Sequence, residues 1–232
     1  RWSITNEFDF TIDYWEIDYK NRIEVESPQV LLNTNPYAQS VTRNQFGELI
    51  AVSTSYFNEE KTRVNGIDIE VNFSKIFDAG ELSYSIKATQ LSKFLTPENQ
   101  DSLTLVNRVG KFNYDAHTHS LPELRLNSFF GWRVNDFKIG INTRYVEGYS
   151  NNRQIPKSAI NLGYTNYVKS FLVHDFSITK LLKFASSEMK LGIGIINAFD
   201  KQAPLLYDAP DFSFDTRVHD PRGRLINLSA EF

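Results

Sequence analysis

The sequence predicts an all-β fold, namely an antiparallel transmembrane β-barrel wall of about eight long strands in which short turns alternate with long loops. Apolar and polar residues alternate with a period of two in many segments, which is typical of strands with one apolar face. Aromatic residues make up 14% of the 232 residues, and they favour strands over helices. The connections between the alternating segments are short and long in turn, which is typical of outer-membrane barrels.

Eight segments carry the alternation. In the first, Phe8, Phe10, Ile12 and Tyr14 share one face, and acidic or polar residues separate them. Phe129 is an exception in its segment, because it stands where a polar residue is expected. Most segments have about 10–14 residues, which exceeds the usual globular strand and is enough to cross a bilayer at a tilt. The predicted strands cover residues 4–18, 64–74, 81–91, 122–133, 136–147, 168–182, 187–196 and 223–232.

The connections between these strands differ greatly in length. The predicted gaps are about 45, 6, 30, 2, 20, 4 and 26 residues, in chain order. The short gaps carry turn formers, as in Val134-Asn135-Asp136, and seven of the eight prolines lie in the long gaps. Soluble sandwiches rarely alternate so strictly, because the loops at both of their ends face the same solvent. Outer-membrane barrels place short turns on one side of the membrane and long loops on the other.

Alternation alone does not say which face of the sheet meets water. A sandwich turns its apolar face inward, and a membrane barrel turns it outward. A soluble β-sandwich is therefore the alternative architecture. Aromatic residues near the strand ends favour the barrel, because such residues form girdles at membrane interfaces. They are Tyr14, Trp15, Tyr19, Phe129, Phe130, Trp132, Tyr145, Tyr149 and Phe232.

Composition excludes several classes of protein. The 25 basic and 28 acidic residues give a net charge of -3, which argues against a nucleic-acid-binding surface. The absence of cysteine excludes a disulfide scaffold, thiolate zinc sites and a cysteine nucleophile. The sequence also lacks the common hydrolase, metalloprotease and phosphate-binding motifs, so we expect neither an enzyme nor a cofactor. A barrel lipase or protease that uses His117, His119 or His219 is the enzymatic alternative.

One set of side chains has the spacing of a metal site. Asp115, His117 and His119 alternate within a predicted long loop, and in an extended chain they would point the same way. Carboxylate and imidazole groups are ordinary metal ligands. Loops favour polar residues in any case, so a solvated loop face or a contact to substrate explains the same pattern.

Other residues in the long loops are candidates for contact with a substrate. Aromatic and arginine side chains suit the capture of siderophores, glycans or peptides by stacking and by bidentate hydrogen bonds. For any single residue, an ordinary role on a loop surface is the alternative. The candidates are Tyr114, His117, Tyr149, Arg153 and Tyr207.

The last third of the chain resembles a known family. The stretch Leu191-Gly192-Ile193-Gly194-Ile195-Ile196-Asn197-Ala198-Phe199-Asp200-Lys201 precedes Gly223-Arg224 and a final alternating strand that ends at Phe232. This pattern resembles the C-terminal end of TonB-dependent outer-membrane receptors. In that family the penultimate strand ends in an Asn-x-Phe-Asp-like motif, and the last strand begins at Gly-Arg and closes on Phe. Residues 13–17, 64–70 and 121–127 are similar to the same family.

The resemblance implies a transporter barrel of 22 strands with an N-terminal plug and a short TonB-contacting segment. Since this sequence accounts for only about eight strands and contains no match to the plug or the TonB-contacting segment, we expect residues 1–232 to be the C-terminal portion of such a barrel. The resemblance also implies the outer membrane of a Gram-negative bacterium as the location. The implied partners are outer-membrane lipid, the TonB system through the missing N-terminal part, a small-molecule or oligomeric nutrient, and the barrel-assembly machinery, which would recognise Phe232. The alternative is a small self-contained eight-strand barrel, such as an adhesin or a passive pore.

Overall fold

A computed structural model describes residues 2–5, 7–98, 102–114, 119–209 and 212–232. Its main feature is a ten-stranded antiparallel sheet with the order β1-β2-β5-β6-β8-β9-β12-β13-β14, in which β7 also pairs with β6. The strands are β1 (Trp2–Thr5), β2 (Phe8–Val25), β3 (Val41–Arg43), β4 (Leu49–Val52), β5 (Tyr56–Phe77), β6 (Gly80–Pro97), β7 (Leu105–Asn107), β8 (Leu124–Val134), β9 (Phe137–Val146), β10 (Tyr149–Ser150), β11 (Tyr167–Val168), β12 (Phe171–Lys183), β13 (Glu188–Ile196) and β14 (Leu225–Glu231). Two short helices, α1 (Pro28–Thr34) and α2 (Lys157–Asn161), lie in the long connections.

Eight of these strands form the wall, as the sequence predicts, and we call β2, β5, β6, β8, β9, β12, β13 and β14 the wall strands. Short turns at 78–79, 135–136 and 184–187 join them at one end of the sheet. The turn between β8 and β9 uses Asn135 at a φ of +48°, a left-handed conformation that Asn tolerates better than most residues. The long connections at 26–55, 98–123, 147–170 and 197–224 all lie at the other end, which we call the outer end.

One face of the wall is apolar across every wall strand. The cross-strand register places apolar residues side by side from the first wall strand to the last, and the neighbouring rows repeat the pattern. Several of these side chains are well exposed, among them Tyr14 at 64% and Leu228 at 77%. A continuous apolar surface of this extent needs an apolar environment. One complete row is Phe8, Phe73, Tyr84, Phe130, Ile141, Phe176, Ile195 and Ile226.

The opposite face is polar. The row next to the apolar one contains, in register, Asp9, Asn72, Ser85, Phe129, Asn142 and Asp175. Ion pairs cross between neighbouring strands on this face, as in Lys87 with Glu70 at 3.2 Å and Arg133 with Glu81 at 2.8 Å. Such exposed pairs contribute little stability each, but they keep a water-facing surface in register.

No second large sheet covers the apolar face within the part of the chain that the structure describes. The other two sheets, β3-β4 and β10-β11, have two strands each and lie in the long connections. A β-sandwich would need a sheet of similar size packed on the apolar face. The architecture is therefore a single wall and not a sandwich. In the described ranges, no helix is both long enough and apolar enough to cross a membrane.

The predicted first strand, residues 4–18, is wrong at both ends. The chain folds back after Thr5, so β1 pairs antiparallel with β2 and places Trp2 opposite Phe10. At the other end β2 continues to Val25, where it pairs with Tyr56 at the start of β5. The sequence misses these extensions because residues 19–25 and 56–63 are mostly polar and charged. Backbone pairing continues there without an alternating apolar face.

The two edges of the sheet lie at β1-β2 and at β14. Within the described ranges no pairing joins these edges, and β1 covers only the Phe8–Phe10 part of the outer side of β2. The rest of that side and the outer side of β14 present their backbone groups without a neighbouring strand of the described chain. Such edges need a further strand or another covering element.

Candidate functional site

The long connections do not extend separately from the wall but pack together at the outer end. The connection after β6 is joined to β10 by backbone hydrogen bonds. The Phe112 N–H donates to the Ser150 carbonyl at 2.9 Å, and the Ser150 N–H donates to the Gly110 carbonyl at 2.8 Å. The side-chain amide of Asn113 closes the same connection by donating to the carbonyls of Arg108 and His119. These bonds fix the position of the aromatic residues beside them.

A small hydrophobic core holds three of the long connections together. It consists of Phe112, Tyr149, Val168 and Leu206, and Tyr149 and Leu206 are each only 1% exposed. Phe112 follows β7 in the connection between β6 and β8, Tyr149 and Val168 belong to β10 and β11, and Leu206 follows β13. Because the four residues come from three connections, burial of their side chains opposes independent movement of those connections. We call this assembly the loop cluster.

A buried polar group completes the loop cluster. The Tyr149 hydroxyl donates a hydrogen bond to Asp215 Oδ2 at 3.2 Å. His219 is 3% exposed, and its ring lies parallel to the Tyr149 ring. The Phe171 and His219 rings meet in an edge-to-face arrangement, with their centroids 5.3 Å apart. Neither ring nitrogen of His219 has a hydrogen-bond partner in the described part of the chain.

The surroundings of His219 control its charge. Burial lowers the pKa of His219 from 6.5 to about 4, although the nearby Asp215 carboxylate opposes that shift. Burial also raises the pKa of Tyr149, and the charge of Asp215 adds to the increase. At neutral pH both rings are therefore uncharged, which suits their stacked and buried positions.

A second contact group lies at the surface of the loop cluster. Arg153 Nη2 is 2.5 Å from Asp208 Oδ2, and the Arg153 guanidinium carbon is 4.4 Å from the centre of the Tyr114 ring. Tyr207 packs edge-on against Tyr164, with the centroids 5.9 Å apart. The planar guanidinium thus joins an aromatic residue of one connection to a carboxylate of another.

The structure places four of the five predicted substrate residues in this one cluster. Tyr114, Arg153 and Tyr207 are half-buried at its surface. Tyr149 is almost fully buried in the core that holds the loops together, and its contact with substrate stays a prediction. His117 lies outside the described residues.

The candidate metal ligands are only partly described. Asp115 and His117 lie outside the described residues, and His119 is exposed at a φ of +65°. The His119 Nδ1 atom contacts the Arg217 Nη1 atom. Among the residues that the structure describes, no group of three or more acidic or histidine residues has the arrangement of a metal site.

A cavity of about 400 Å³ lies between the loop cluster and the first turn of α1. The connections after β2, β6 and β13 all contribute to its wall. The sequence does not single out this site, because its parts come from distant segments without a shared motif. Residues that line it include Ser27, Gln29, Phe112, Tyr114, Phe214 and Arg217.

Comparison with known proteins supplies a family and a fold. A family model described as TonB dependent receptor-like, beta-barrel, matches residues 1–198. No curated protein sequence matches the chain.

Similar solved structures include a mutant ferric enterobactin receptor from Pseudomonas aeruginosa, with 16% identity and a TM-score of 0.57. They also include the siderophore receptor PirA from Acinetobacter baumannii, at 16% and 0.56. A third is the FrpB iron transporter from Neisseria meningitidis, at 13% and 0.55. Each alignment covers 97% of this chain and 29% of the other, so this chain spans less than a third of their length. At these identities the likeness is one of fold.

Proposed function

Because this chain belongs to the TonB-dependent receptor-like β-barrel family, we propose that residues 1–232 form the C-terminal portion of the barrel of an uptake receptor, whose outer loops capture a nutrient. TonB-dependent receptors are transporters of the Gram-negative outer membrane and are not enzymes. The predicted family, the all-β wall and the outer-membrane location are thereby confirmed.

The observation that carries this proposal is the division of the wall into one apolar and one polar face. All eight wall strands contribute to the exposed apolar face, which suits contact with lipid. The polar face suits a water-filled interior. The long connections gather at one end, where they form a surface able to meet a solute outside the cell.

The edges of the sheet support a portion of a larger barrel over a self-contained one. Unpaired backbone groups at membrane depth cost several kcal/mol each, so a wall of this kind requires neighbouring strands on both sides. A self-contained eight-strand adhesin or pore would instead pair β14 with β2, and the described residues contain no such pairing. The structurally similar receptors are more than three times longer, since this chain covers 29% of them.

The proposed solute is a ferric siderophore or a related iron chelate. The compared structures are named as a ferric enterobactin receptor, a siderophore receptor and an iron transporter. The aromatic and arginine side chains of the loop cluster fit the stacking and hydrogen bonding of such solutes. Import would require the TonB system through a preceding segment of the protein. Phe232, which is 94% exposed at the end of the last strand, would serve as the barrel-assembly signal.

A growth experiment tests this function. The gene that encodes the chain would be deleted from its own bacterium, and growth would be measured in iron-limited medium with single ferric siderophores as the iron source. We expect the deletion strain to lose growth on at least one siderophore, and a strain that lacks TonB to lose the same one. Unchanged growth on every siderophore, together with lost uptake of a glycan, a peptide or cobalamin, would contradict the proposed solute class.

A further inference from the structure

The cavity at the outer end carries a cation without an acidic partner among the described residues. Arg217 is exposed at the cavity wall, and its Nη1 atom contacts His119. The two carboxylates of the cavity wall have other partners. Asp208 pairs with Arg153, and Asp215 accepts from the Tyr149 hydroxyl and from the Arg217 backbone N–H. The guanidinium therefore remains available to an incoming anion.

The geometry around Arg217 limits what that anion can be. Phe112 and Tyr114 line the same cavity with their ring centroids 6.5 Å apart, and Phe214 adds a third ring. Ser27 and Asn113 add polar residues to the lining. A volume of about 400 Å³ accepts a single substituted ring or a small part of a larger solute.

The two carboxylates restrict the charge of the ligand further. Asp208 and Asp215 line the same cavity and belong to the same connection as Arg217, and they would repel an anion that spread over the whole cavity. An anionic group that meets the guanidinium while a ring meets the aromatic wall avoids this repulsion. The favoured ligand therefore has its charge at one end and a flat apolar body at the other.

We propose that this cavity is a binding site for a ring-bearing carboxylate or phenolate group, with Arg217 binding its charge and Tyr114 contacting its ring. This inference rests on the proposed uptake function, because it identifies the part of the solute that the outer loops hold. A planar guanidinium can donate two parallel hydrogen bonds to such an anion, and an ammonium group cannot.

Binding to the purified full-length protein in detergent tests the inference, with benzoate and benzamide as probes in NMR titrations. The two probes have the same shape and differ in charge. We expect wild-type protein to bind benzoate about 10-fold or more tightly than benzamide. We expect Arg217→Gln to weaken benzoate binding about 10–100-fold and to leave benzamide binding unchanged. Arg217→Lys should restore only part of the loss, and Tyr114→Ala should weaken both probes.

Arg222→Gln is the matched control, because Arg222 is an exposed arginine of the same connection that pairs with Asp220 outside the cavity wall. It should bind both probes like wild type. Equal binding of benzoate and benzamide, benzoate binding that is unaffected by Arg217→Gln, or no benzoate binding would each overturn the inference.

The growth experiment with the deletion strain separates this inference from the proposed function. If the deletion abolishes siderophore uptake while Arg217→Gln leaves benzoate binding unchanged, the cavity inference fails and the uptake function stands. If benzoate binding depends on Arg217 while the deletion affects no uptake, the uptake function fails and the cavity remains a binding site.

Discussion

The ring of His219 lies parallel to the ring of Tyr149, with the two centroids 6.1 Å apart and 6° between the planes. Tyr149 belongs to β10, and His219 lies in the connection between β13 and β14, so this contact joins two parts of the chain that are distant in sequence. Both residues are almost fully buried. The loop cluster thus depends on an imidazole that stays neutral.

The stability of the loop cluster should fall in acid. The pKa of His219 is about 4 in the folded protein and 6.5 when the residue is solvated, so opened loops bind a proton more readily than closed loops do. The stabilisation is complete above pH 6.5 and is lost as the pH falls toward 4. Hydrogen–deuterium exchange of the amides around Val168, corrected for its intrinsic pH dependence, measures this effect. His219→Phe keeps a stacked ring that cannot bind a proton, so exchange protection in this variant should change little between pH 6.5 and 4. If protection falls as steeply in the variant as in wild type, His219 does not cause the pH dependence.

The Tyr149 ring and its hydroxyl should contribute unequally. Tyr149→Ala leaves a cavity in the loop cluster and should cost about 3–5 kcal/mol of local stability. Tyr149→Phe removes only the hydrogen bond to Asp215 and should cost about 1 kcal/mol. Exchange protection of the Leu206 amide, which donates to the Ser213 carbonyl, measures both. Equal losses in the two variants would show that the ring packing is unimportant.

The ion pair between Arg153 and Asp208 should contribute little to the stability of the outer loops. Their side chains are 29% and 44% exposed, so solvent screens the pair, and a double-mutant cycle should give a coupling of about 0.5–1 kcal/mol. Arg153→Lys retains the charge but loses the planar contact with Tyr114, so it should be less stable than wild type. Protease resistance of the outer loops reports all the variants. If Arg153→Lys is as resistant as wild type, the contact between the guanidinium and the ring contributes nothing.

Gly66 should be difficult to replace. A Cβ atom at this position would lie 2.6 Å from the Gln90 carbonyl oxygen and 2.7 Å from the Trp15 ring, so backbone as well as side chain must shift. We expect Gly66→Ala to destabilise the wall by about 1–3 kcal/mol. The midpoint of urea unfolding in lipid vesicles measures the change. Ser74→Ala, at an exposed position of the same strand, is the control and should match wild type. Equal midpoints for the two variants would contradict the close packing at Gly66.

The wall strands are predictable because lipid on one face and water on the other require a period-two pattern. The turn between Val134 and Phe137 is visible for the same reason, since turn formers interrupt that pattern. Where a strand extends beyond the apolar face, the period-two pattern stops and no longer predicts the strand. The ion pair between Arg22 and Glu59 joins the parts of β2 and β5 that extend beyond the apolar face, where apolar and polar residues do not alternate.

The loop cluster could be predicted only in part. The sequence identifies Tyr114, Arg153 and Tyr207 as loop residues with binding chemistry, but it does not show that Arg153 contacts Tyr114 and Asp208. Such contacts join distant segments and leave no periodic signal. The burial of Tyr149 is not visible in the sequence for the same reason, because it depends on partners from three connections. Arg217 has no distinguishing neighbour in the sequence and is identified only by the cavity.

The central claim is that the wall turns one face to lipid and the other to water, and spin labels at two adjacent residues test it most directly. This chain contains no cysteine, so Ile178→Cys and Thr179→Cys each provide a labelling site within it. Nitroxide accessibility would be measured for the full-length protein in outer-membrane vesicles. We predict that a label at 178 is more accessible to oxygen and that a label at 179 is more accessible to a water-soluble nickel complex. Equal accessibility at both positions, or the reverse order, would contradict the assignment of the two faces.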